Sequence, residues 1–499
     1  MRLQLATAIS LVLTGAAGAE VTIAQKESKW FTDAQAQLAE LEQITHNTNR
    51  AKNIILFIAD GNGVATNYAT RLWMGQQEGG LGDDYVMSYE KFPHMALMKT
   101  YTSNGQTPDS APTASAMNTG VKSRNGTINI DDAGDYRDCN AAAEHGLTTF
   151  AELMTADRDM KIGIVSTARL THATPAAVYA KTAHRDWEDN SRLPENCAQK
   201  DIAAQMVDAI EEGRLHLALG GGRRHFLPTT VTDEEGTNGN RTDDRNLVQE
   251  IQDKGWQYVW NDETFAAADK SQPVLGLFEA SHMKYENDRV GEPSLAEMTE
   301  FAINALDGAE GGYFLEIEAG RVDHANHAGN LHRVVTDGAA FADAIAKAAE
   351  MVDLNETLII VTADHEHVLS FNGYCGRGTP ITGLCFDVDD NGIEHTGTPS
   401  LALDGKPYTV AGYLNGPGSI LTHEEGQNDW TGSRPEITQE QATDPDYLQQ
   451  SLIPMSSETH SGVDVPLFAA GPWSHLFQGV MEQNLIFHVM MKAVHADES

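Results

Sequence analysis

Basic residues are scarce in this 499-residue chain: 34 Lys and Arg stand against 72 Asp and Glu, a formal net charge of −38 at pH 7. A surface this acidic repels phosphate backbones, which argues against nucleic-acid binding as a function and against adhesion to anionic membranes. Glycine and proline, with 44 and 17 residues, are not enriched, which excludes collagen-like and low-complexity chains. The 41% of hydrophobic residues indicates a globular protein with a sizeable core.

Long apolar runs are also lacking. Beyond the N-terminus none approaches the ~18 residues that a membrane span needs, and the polar C-terminus shows no lipid-anchor signal. Residues 1–19 predict a removable signal peptide, because Arg2 precedes an apolar stretch that ends in the small residues Ala17-Gly18-Ala19. A buried N-terminal helix is the alternative. We expect residues 20–499 to form an exported protein, periplasmic or secreted.

Only four cysteines are present. In an exported chain this number favours two disulfides, for which three pairings exist. Cys375 and Cys385 bracket a Gly-rich loop, so we pair them, which leaves Cys139 with Cys197. A zinc site of four thiolates is the rival, and the missing CxxC spacing counts against it.

Short apolar runs alternate with helix-like stretches along the chain. The runs predict buried parallel strands over 53–59, 162–166, 313–317 and 358–363, and the stretches predict helices over 201–213, 295–307 and 334–351. This alternation predicts an α/β fold with a mostly parallel sheet in a layered sandwich. Residues 28–44 read as an amphipathic helix, and the Gly/Pro/Asp-rich residues 371–435 look like an insertion with small strands of its own.

Three of the apolar runs end in a carboxylate, at Asp60, Glu318 and Asp364. Ligands of open α/β sheets bind beyond the C-terminal strand ends, where these side chains would converge. Three carboxylates share a small cleft only with positive charge between them.

Histidines complete a candidate metal site. Asp323 and His327 stand four residues apart, on one face of a helical turn; His365 follows Asp364; and His460 lies in a polar loop before an apolar run. Imidazole with carboxylate suits zinc, whereas oxygen-only sets suit magnesium or calcium. Each pattern alone is more often a surface ion pair, a helix cap or a solvated histidine. The joint placement of these residues after predicted strands favours a metal site.

Residues 107–120 supply a candidate nucleophile. Ser110 fits the N-cap of a helix, Pro112 its first turn and Gly120 its end. A capping serine is the simpler reading. A helix N-terminus also holds phosphate, and a serine hydroxyl beside zinc is readily deprotonated for attack on phosphorus.

Taken together, Asp109-Ser110-Ala111, Asp60-Gly61, the Glu318–Asp323–His327 series, Thr362-Ala363-Asp364-His365 and Thr459-His460-Ser461-Gly462 resemble the alkaline phosphatase family, most closely its animal tissue-type branch. The resemblance runs in order from about residue 28 to 490. It implies a three-layer α/β/α sandwich with a large, mostly parallel central sheet and a crown-like insertion over residues 371–435. It also implies hydrolysis of a broad range of phosphate monoesters through a phosphoserine on Ser110, and a homodimer embraced by the helix at residues 28–44.

The family's site residues carry over by position. The resemblance implies one zinc on Asp323, His327 and His460, a second on Asp364 and His365 with Asp60 as a bridge, and magnesium on Asp60, Glu318 and Thr174 with His172 beside it. Arg185 would dock phosphate, Asp109 would orient Arg185, and His324 would contact phosphate through water or add positive potential. A possible calcium site would use the Phe278 carbonyl, Glu279, Glu292 and Glu235.

Two departures from the family pattern stand out. The turn Ala59-Asp60-Gly61-Asn62-Gly63 lacks a usual Gly and Met, and the Cys375–Cys385 pair does not match the usual animal position, whereas Cys139–Cys197 resembles a family bridge. Sulfatases and phosphodiesterases of the same superfamily are the nearest rivals, but Ser110-Ala111-Pro112-Thr113-Ala114 lacks the sulfatase arginine. An acidic protein that sequesters divalent metals is the rival of a different class.

Overall fold

The computed structural model describes residues 23–392, 395–423 and 429–496. The predicted signal peptide, residues 1–19, lies outside these ranges. The chain divides into two units, Met1–Thr45 and His46–Ser499. In the first unit, helix α1 spans Lys29–Leu41 and contains no buried residue. The helix predicted over residues 28–44 is therefore present and slightly shorter at both ends.

The described residues form the following regular elements. The strands are β1 (Asn53–Ala59), β2 (His94–Lys99), β3 (Lys161–Arg169), β4 (Leu217–Gly221), β5 (Gln257–Val259), β6 (Val274–Leu277), β7 (Tyr313–Ala319), β8 (Thr357–Ala363), β9 (Glu366–His367), β10 (Leu369–Phe371), β11 (Phe386–Val388), β12 (His395–Pro399), β13 (Ala411–Gly416), β14 (Ser451–Pro454), β15 (His460–Ser461), β16 (Val465–Ala470) and β17 (Gly479–Glu482). After α1, the helices are α2 (Val64–Gln77), α3 (Ser110–Thr119), α4 (Ala141–His145), α5 (Phe150–Arg158), α6 (Ala173–Ala176), α7 (Ile202–Glu211), α8 (Leu247–Gln252), α9 (Asp262–Ala266), α10 (Leu295–Leu306), α11 (Arg321–His327), α12 (Leu331–Met351), α13 (Gln439–Ala442) and α14 (Leu485–Val494).

Ten of these strands build one large sheet in the order β17-β2-β16-β8-β1-β7-β3-β4-β6-β5. Strands β8, β1, β7, β3, β4, β6 and β5 pair in parallel, whereas β16 runs antiparallel to both of its neighbours, β8 and β2. The predicted α/β class with a mostly parallel central sheet is confirmed. Every residue of β1, β7 and β8 is buried, as expected for strands covered on both faces.

Two apolar cores lie on opposite faces of the sheet. Alternate side chains of β1 enter different cores, Ile54, Leu56 and Ile58 on one face and Ile55 and Phe57 on the other. Helices α3, α5, α7 and α14 contribute to the first core, and α10 and α12 to the second. A helix layer on each face accounts for the three-layer sandwich.

The segment at residues 371–435 contains small strands, as predicted. Strands β11 and β12 pair with each other, and β13 joins a three-stranded sheet with β10 and β14. The disulfides Cys375–Cys385 and Cys139–Cys197 are both formed as paired from the sequence. Among the described residues, no helix combines the length and apolar character needed to cross a bilayer.

Candidate metal centre and nucleophile

The site lies at the carboxyl ends of the central strands. Strand β1 pairs with β7 on one side, where Ile58 faces Glu318, and with β8 on the other, where Ala59 faces Ala363. Asp60, Glu318 and Asp364 therefore sit at one edge of the sheet, and all three are buried. The structure brings together the three strand-end carboxylates that the sequence placed there.

The nucleophile helix α3 begins at Ser110 and points its N-terminus at this edge. The N-cap is Asp109, whose Oδ1 accepts a hydrogen bond from the Ala111 N–H at 2.9 Å; the prediction of Ser110 as the cap is wrong by one residue. Since aspartate and serine cap helices equally well, the sequence did not discriminate between them. Ser110 thus occupies the first helical position, and its Oγ lies 3.3 Å from His365 Nε2 and 3.4 Å from both carboxylate oxygens of Asp60.

Asp323 is the centre of a histidine cluster. Its Oδ1 lies 3.3 Å from His327 Nε2, 3.2 Å from His460 Nε2 and 2.9 Å from His367 Nε2. Burial acts to raise the pKa of Asp323, but the neighbouring imidazoles outweigh it and hold that pKa well below its usual range. His460 lies in strand β15, which pairs with β9, and not in the loop expected from the sequence.

A second cluster joins Asp60, Asp364 and His365. His365 Nε2 lies 3.3 Å from Asp60 Oδ1 and 3.2 Å from Asp364 Oδ2. Burial, together with the charges of Asp323 and Asp364, raises the pKa of Asp60 well above its usual range. Carboxylates this crowded favour a cation between them.

A third cluster joins Asp60, His172 and Glu318. Burial raises the pKa of Glu318 to about 7, although hydrogen bonds from Ser166 and Thr174 oppose the rise. Burial, Arg185 and Arg169 lower the pKa of His172 well below its usual range, so its imidazole is a neutral, ligand-competent group. Glu318 Oε1 and His172 Nδ1 are buried without a hydrogen-bond partner, which fits a bound ion between them.

Arg185 lies next to Asp109, the N-cap residue of α3. Its Nη1 donates to Asp109 Oδ1 at 2.9 Å, and its Nη2 lies 3.0 Å from His172 Nε2. Burial acts to lower the pKa of Arg185, but Asp109 and Asp60 outweigh it and raise that pKa. The structure therefore brings Arg185 and Asp109 together beside Ser110, in a position to grip an anion at the helix N-terminus.

His324 lies close to two other imidazoles, with the ring planes tilted by 54° in both pairs. Its ring centroid lies 4.0 Å from that of His282 and 5.7 Å from that of His172. Burial lowers the pKa of His324 to about 3. A neutral hydrogen-bonding role therefore fits His324 better than a source of positive potential.

The residues of the predicted calcium site have partners within the protein. Glu279 is ion-paired with Lys284, and Glu235 with Arg223. Burial raises the pKa of Glu292 to about 7, and one of its carboxylate oxygens has no hydrogen-bond partner. In the described part of the chain, Asp, Glu and His side chains form several groups close enough to share an ion, but Glu235, Glu279 and Glu292 do not form such a group. The side chain of Phe278 is buried in the core.

Two residues of the site were missed from the sequence, His367 and Glu458. His367 Nδ1 lies 2.6 Å from Glu458 Oε2, and the Glu458 backbone carbonyl lies 2.6 Å from His327 Nδ1. The alternation His365-x-His367, which runs into the short strand β9, was a usable signal. Glu458 had none, because its partner lies 91 residues away in the chain.

Comparison with known proteins gives a consistent result. The sequence profile of the family described as alkaline phosphatase matches residues 51–496. The membrane-bound alkaline phosphatase of Bombyx mori is 38% identical over 502 residues, 95% of this chain and 86% of that protein. The tissue-nonspecific alkaline phosphatase of Gallus gallus is 38% identical over 483 residues, 93% of this chain and 88% of that protein. The fold is similar to that of Thermus thermophilus alkaline phosphatase, with a TM-score of 0.62 at 20% identity and 96% coverage of each chain.

The family profile covers most of the chain, and the animal relatives match it almost end to end at 38% identity. The resemblance noted from the motifs is thereby confirmed. The chain belongs to the alkaline phosphatase family and is a phosphomonoesterase.

Proposed function

We propose that this exported phosphomonoesterase hydrolyses a broad range of phosphate monoesters through a covalent phosphoserine on Ser110, with two zinc ions and one magnesium. The observation that carries the proposal is the position of Ser110 Oγ, 3.3 Å from His365 Nε2 and 3.4 Å from the Asp60 carboxylate, at the N-terminus of α3. No such contacts are needed by a serine that only begins a helix.

The metal ions would be held by the three clusters. The first zinc would bind a carboxylate and two imidazoles, those of Asp323, His327 and His460. The second zinc would bind Asp364, His365 and Asp60. Magnesium would bind mainly oxygen ligands, from Glu318, Thr174 and Asp60, with His172 beside them. Bound there, the ions would act as Lewis acids on the attacking and leaving oxygens. A calcium ion at Phe278, Glu279, Glu292 and Glu235 would have to displace Lys284 from Glu279.

The protein's own groups would bind and orient the phosphate. Arg185 can donate two parallel hydrogen bonds to phosphate oxygens, and Asp109 fixes its guanidinium from behind. The free N–H groups at the start of α3 stabilise the equatorial oxygens as charge shifts. Arg185 and the N–H groups of α3 would stabilise the transition state by contacting the phosphoryl group alone. The leaving group is therefore weakly constrained, and specificity is broad.

The reaction balances in two displacements. Ser110 Oγ forms a bond to phosphorus while the ester P–O bond breaks, and the serine proton ends on the departing alcohol. Water then attacks the phosphoserine, which releases inorganic phosphate and returns the proton to Ser110.

Homodimerisation and export are part of the proposal. Helix α1 contains no buried residue and exposes Trp30, Leu38 and Leu41, so a second copy of the chain is the partner we propose for it. The two disulfides are typical of proteins that mature in an oxidising compartment, the periplasm or the medium.

The test compares Ser110→Ala with Ser103→Ala, an exposed serine outside the site. We expect Ser110→Ala to abolish hydrolysis of p-nitrophenyl phosphate with metal content near that of wild type, and Ser103→Ala to remain active. Acid quenching during turnover should trap phosphate on the wild type and not on Ser110→Ala. Chelation should abolish activity, and zinc plus magnesium should restore it; restoration by calcium alone, or full turnover by Ser110→Ala, contradicts the proposal.

A further inference from the structure

A polar cavity beside the candidate active site is unusual for so acidic a protein. It has a volume of about 430 Å³, and three arginines, Arg169, Arg192 and Arg224, line it together with the carboxylates Asp186 and Glu188. The chain as a whole has 34 basic residues against 72 acidic ones. Guanidinium groups nevertheless outnumber carboxylates in this cavity.

One arginine of the cavity is held in place by the protein. Arg169 Nε and Nη2 donate to the two carboxylate oxygens of Glu188 at 2.7 and 2.8 Å. Glu188 also accepts from Thr171 Oγ1 at 2.7 Å. Glu188 is therefore matched by Arg169, and one further carboxylate, that of Asp186, lines the cavity with Arg192 and Arg224.

Arg192 and Arg224 form no ion pair with any residue that the structure describes. The nearest polar contact of Arg224 is His225 Nε2, 3.3 Å from its Nε. Arg224 is half-buried, and burial together with the nearby charges of Arg169 and Arg192 lowers its pKa. Like charges gathered in a partly buried cavity are stabilised when an anion joins them.

Residues that line the cavity are connected to Arg185, the candidate phosphate-docking residue, in two ways. Asp186 directly follows Arg185 in the chain. Arg169 contacts the His282 imidazole, which lies 5.3 Å from that of His172, and His172 in turn lies 3.0 Å from Arg185. Two imidazoles, those of His282 and His172, thus connect Arg169 of the cavity to Arg185.

From this geometry we propose that Arg169, Arg192 and Arg224 form a second anion site, which binds a phosphate group other than the one being hydrolysed. The inference rests on the proposed role of Arg185 at the reacting phosphate. The ligand is either a distal phosphate of a polyphosphorylated substrate such as a nucleoside triphosphate, or free inorganic phosphate. Arginine suits both, because its planar fork matches two phosphate oxygens.

The test uses the zinc- and magnesium-loaded enzyme and two variants, Arg224→Gln and Arg192→Gln. Arg214→Gln, which removes a surface arginine paired with Glu212, is the matched control. For each protein, kcat/KM is measured with ATP and with p-nitrophenyl phosphate, and bound inorganic phosphate is counted by equilibrium dialysis.

If the site binds a distal substrate phosphate, each cavity variant should lose about tenfold or more in kcat/KM for ATP and keep its value for p-nitrophenyl phosphate, since a charge-assisted hydrogen bond is lost. If it binds free phosphate, wild type should bind two phosphates per chain and the variants one, with both substrates affected alike. One phosphate per chain in wild type, together with unchanged selectivity between the two substrates, overturns the inference. Failure of wild type to hydrolyse p-nitrophenyl phosphate would instead overturn the proposed function.

Discussion

The buried pair His367 and Glu458 allows a test of the proposed zinc site. His367 Nε2 lies 2.9 Å from Asp323 Oδ1, and His367 Nδ1 lies 2.6 Å from Glu458 Oε2. Glu458 is itself fixed by the backbone N–H of Val368 at 2.7 Å. Such outer hydrogen bonds orient a metal ligand, and their loss typically costs 10–100-fold in metal affinity.

Two effects oppose each other when His367 is replaced. Burial acts to lower the pKa of His367, but hydrogen bonds to Asp323 and Glu458 raise it to about 10, so the group carries a positive charge that repels a cation. The side chains of His367 and Glu458 are both fully buried and in contact. Glu458 therefore cancels most of that charge as seen from the metal, and we expect the loss of orientation to prevail.

The perturbation is His367→Leu, which removes the contact with Asp323 and the hydrogen bond with Glu458 and keeps a side chain of similar size. We expect zinc affinity to fall 10–100-fold, about 1.4–2.7 kcal/mol. The assay is competition for zinc against a chelator of known affinity, with circular dichroism to verify folding.

His332→Leu is the control, because the His332 imidazole lies at the surface and contacts Asn287. Its zinc affinity should equal that of wild type. A folded His367→Leu protein that binds zinc as tightly as wild type would refute the view that His367 orients Asp323.

Three further predictions concern stability. Burial raises the pKa of Asp337 to about 8; a carboxyl whose folded pKa is raised costs stability progressively between its unfolded pKa and its folded pKa. Asp337→Asn should therefore gain about 2–3 kcal/mol over wild type between pH 6 and pH 8 in urea denaturation, and parallel pH profiles would contradict this. The disulfide Cys139–Cys197 closes a separation of 58 residues and Cys375–Cys385 one of 10, so replacing each pair by serine should cost about 4 and about 3 kcal/mol, in that order; a reversed order in denaturant titrations would argue against loop entropy as the cause. Because the net charge is −38, raising salt from 0.01 to 1 M, which shortens the Debye length from about 30 to about 3 Å, should raise Tm in calorimetry; a Tm that does not respond would show that self-repulsion is unimportant.

Much of the fold could be predicted from the sequence because the central strands carry their own signal. The strand predicted at residues 53–59 has the same bounds as β1, and the strand predicted at residues 358–363 begins one residue later than β8. Strands buried on both faces read as unbroken apolar runs, and parallel order places all their C-terminal ends at one edge. The convergence of Asp60, Glu318 and Asp364 follows from these two facts.

The rest depends on contacts between distant parts of the chain. The strand at His460 exists only because it pairs with β9, and Glu458 reaches His367 across 91 residues. The arginine-lined cavity draws Arg169, Arg192 and Arg224 from three separate segments. Contacts between such distant residues leave no local pattern in the sequence, so periodicity and spacing could not predict them.

The position of β16 in the sheet has a consequence for how the molecule is made. Residues 465–470 insert antiparallel between β8 and β2, although they follow both of those strands in the chain. Until they arrive, two strand edges stay open to mispairing with other chains. His460 lies just before β16 in the chain, so the segment that closes the sheet also brings His460 to the cluster around Asp323.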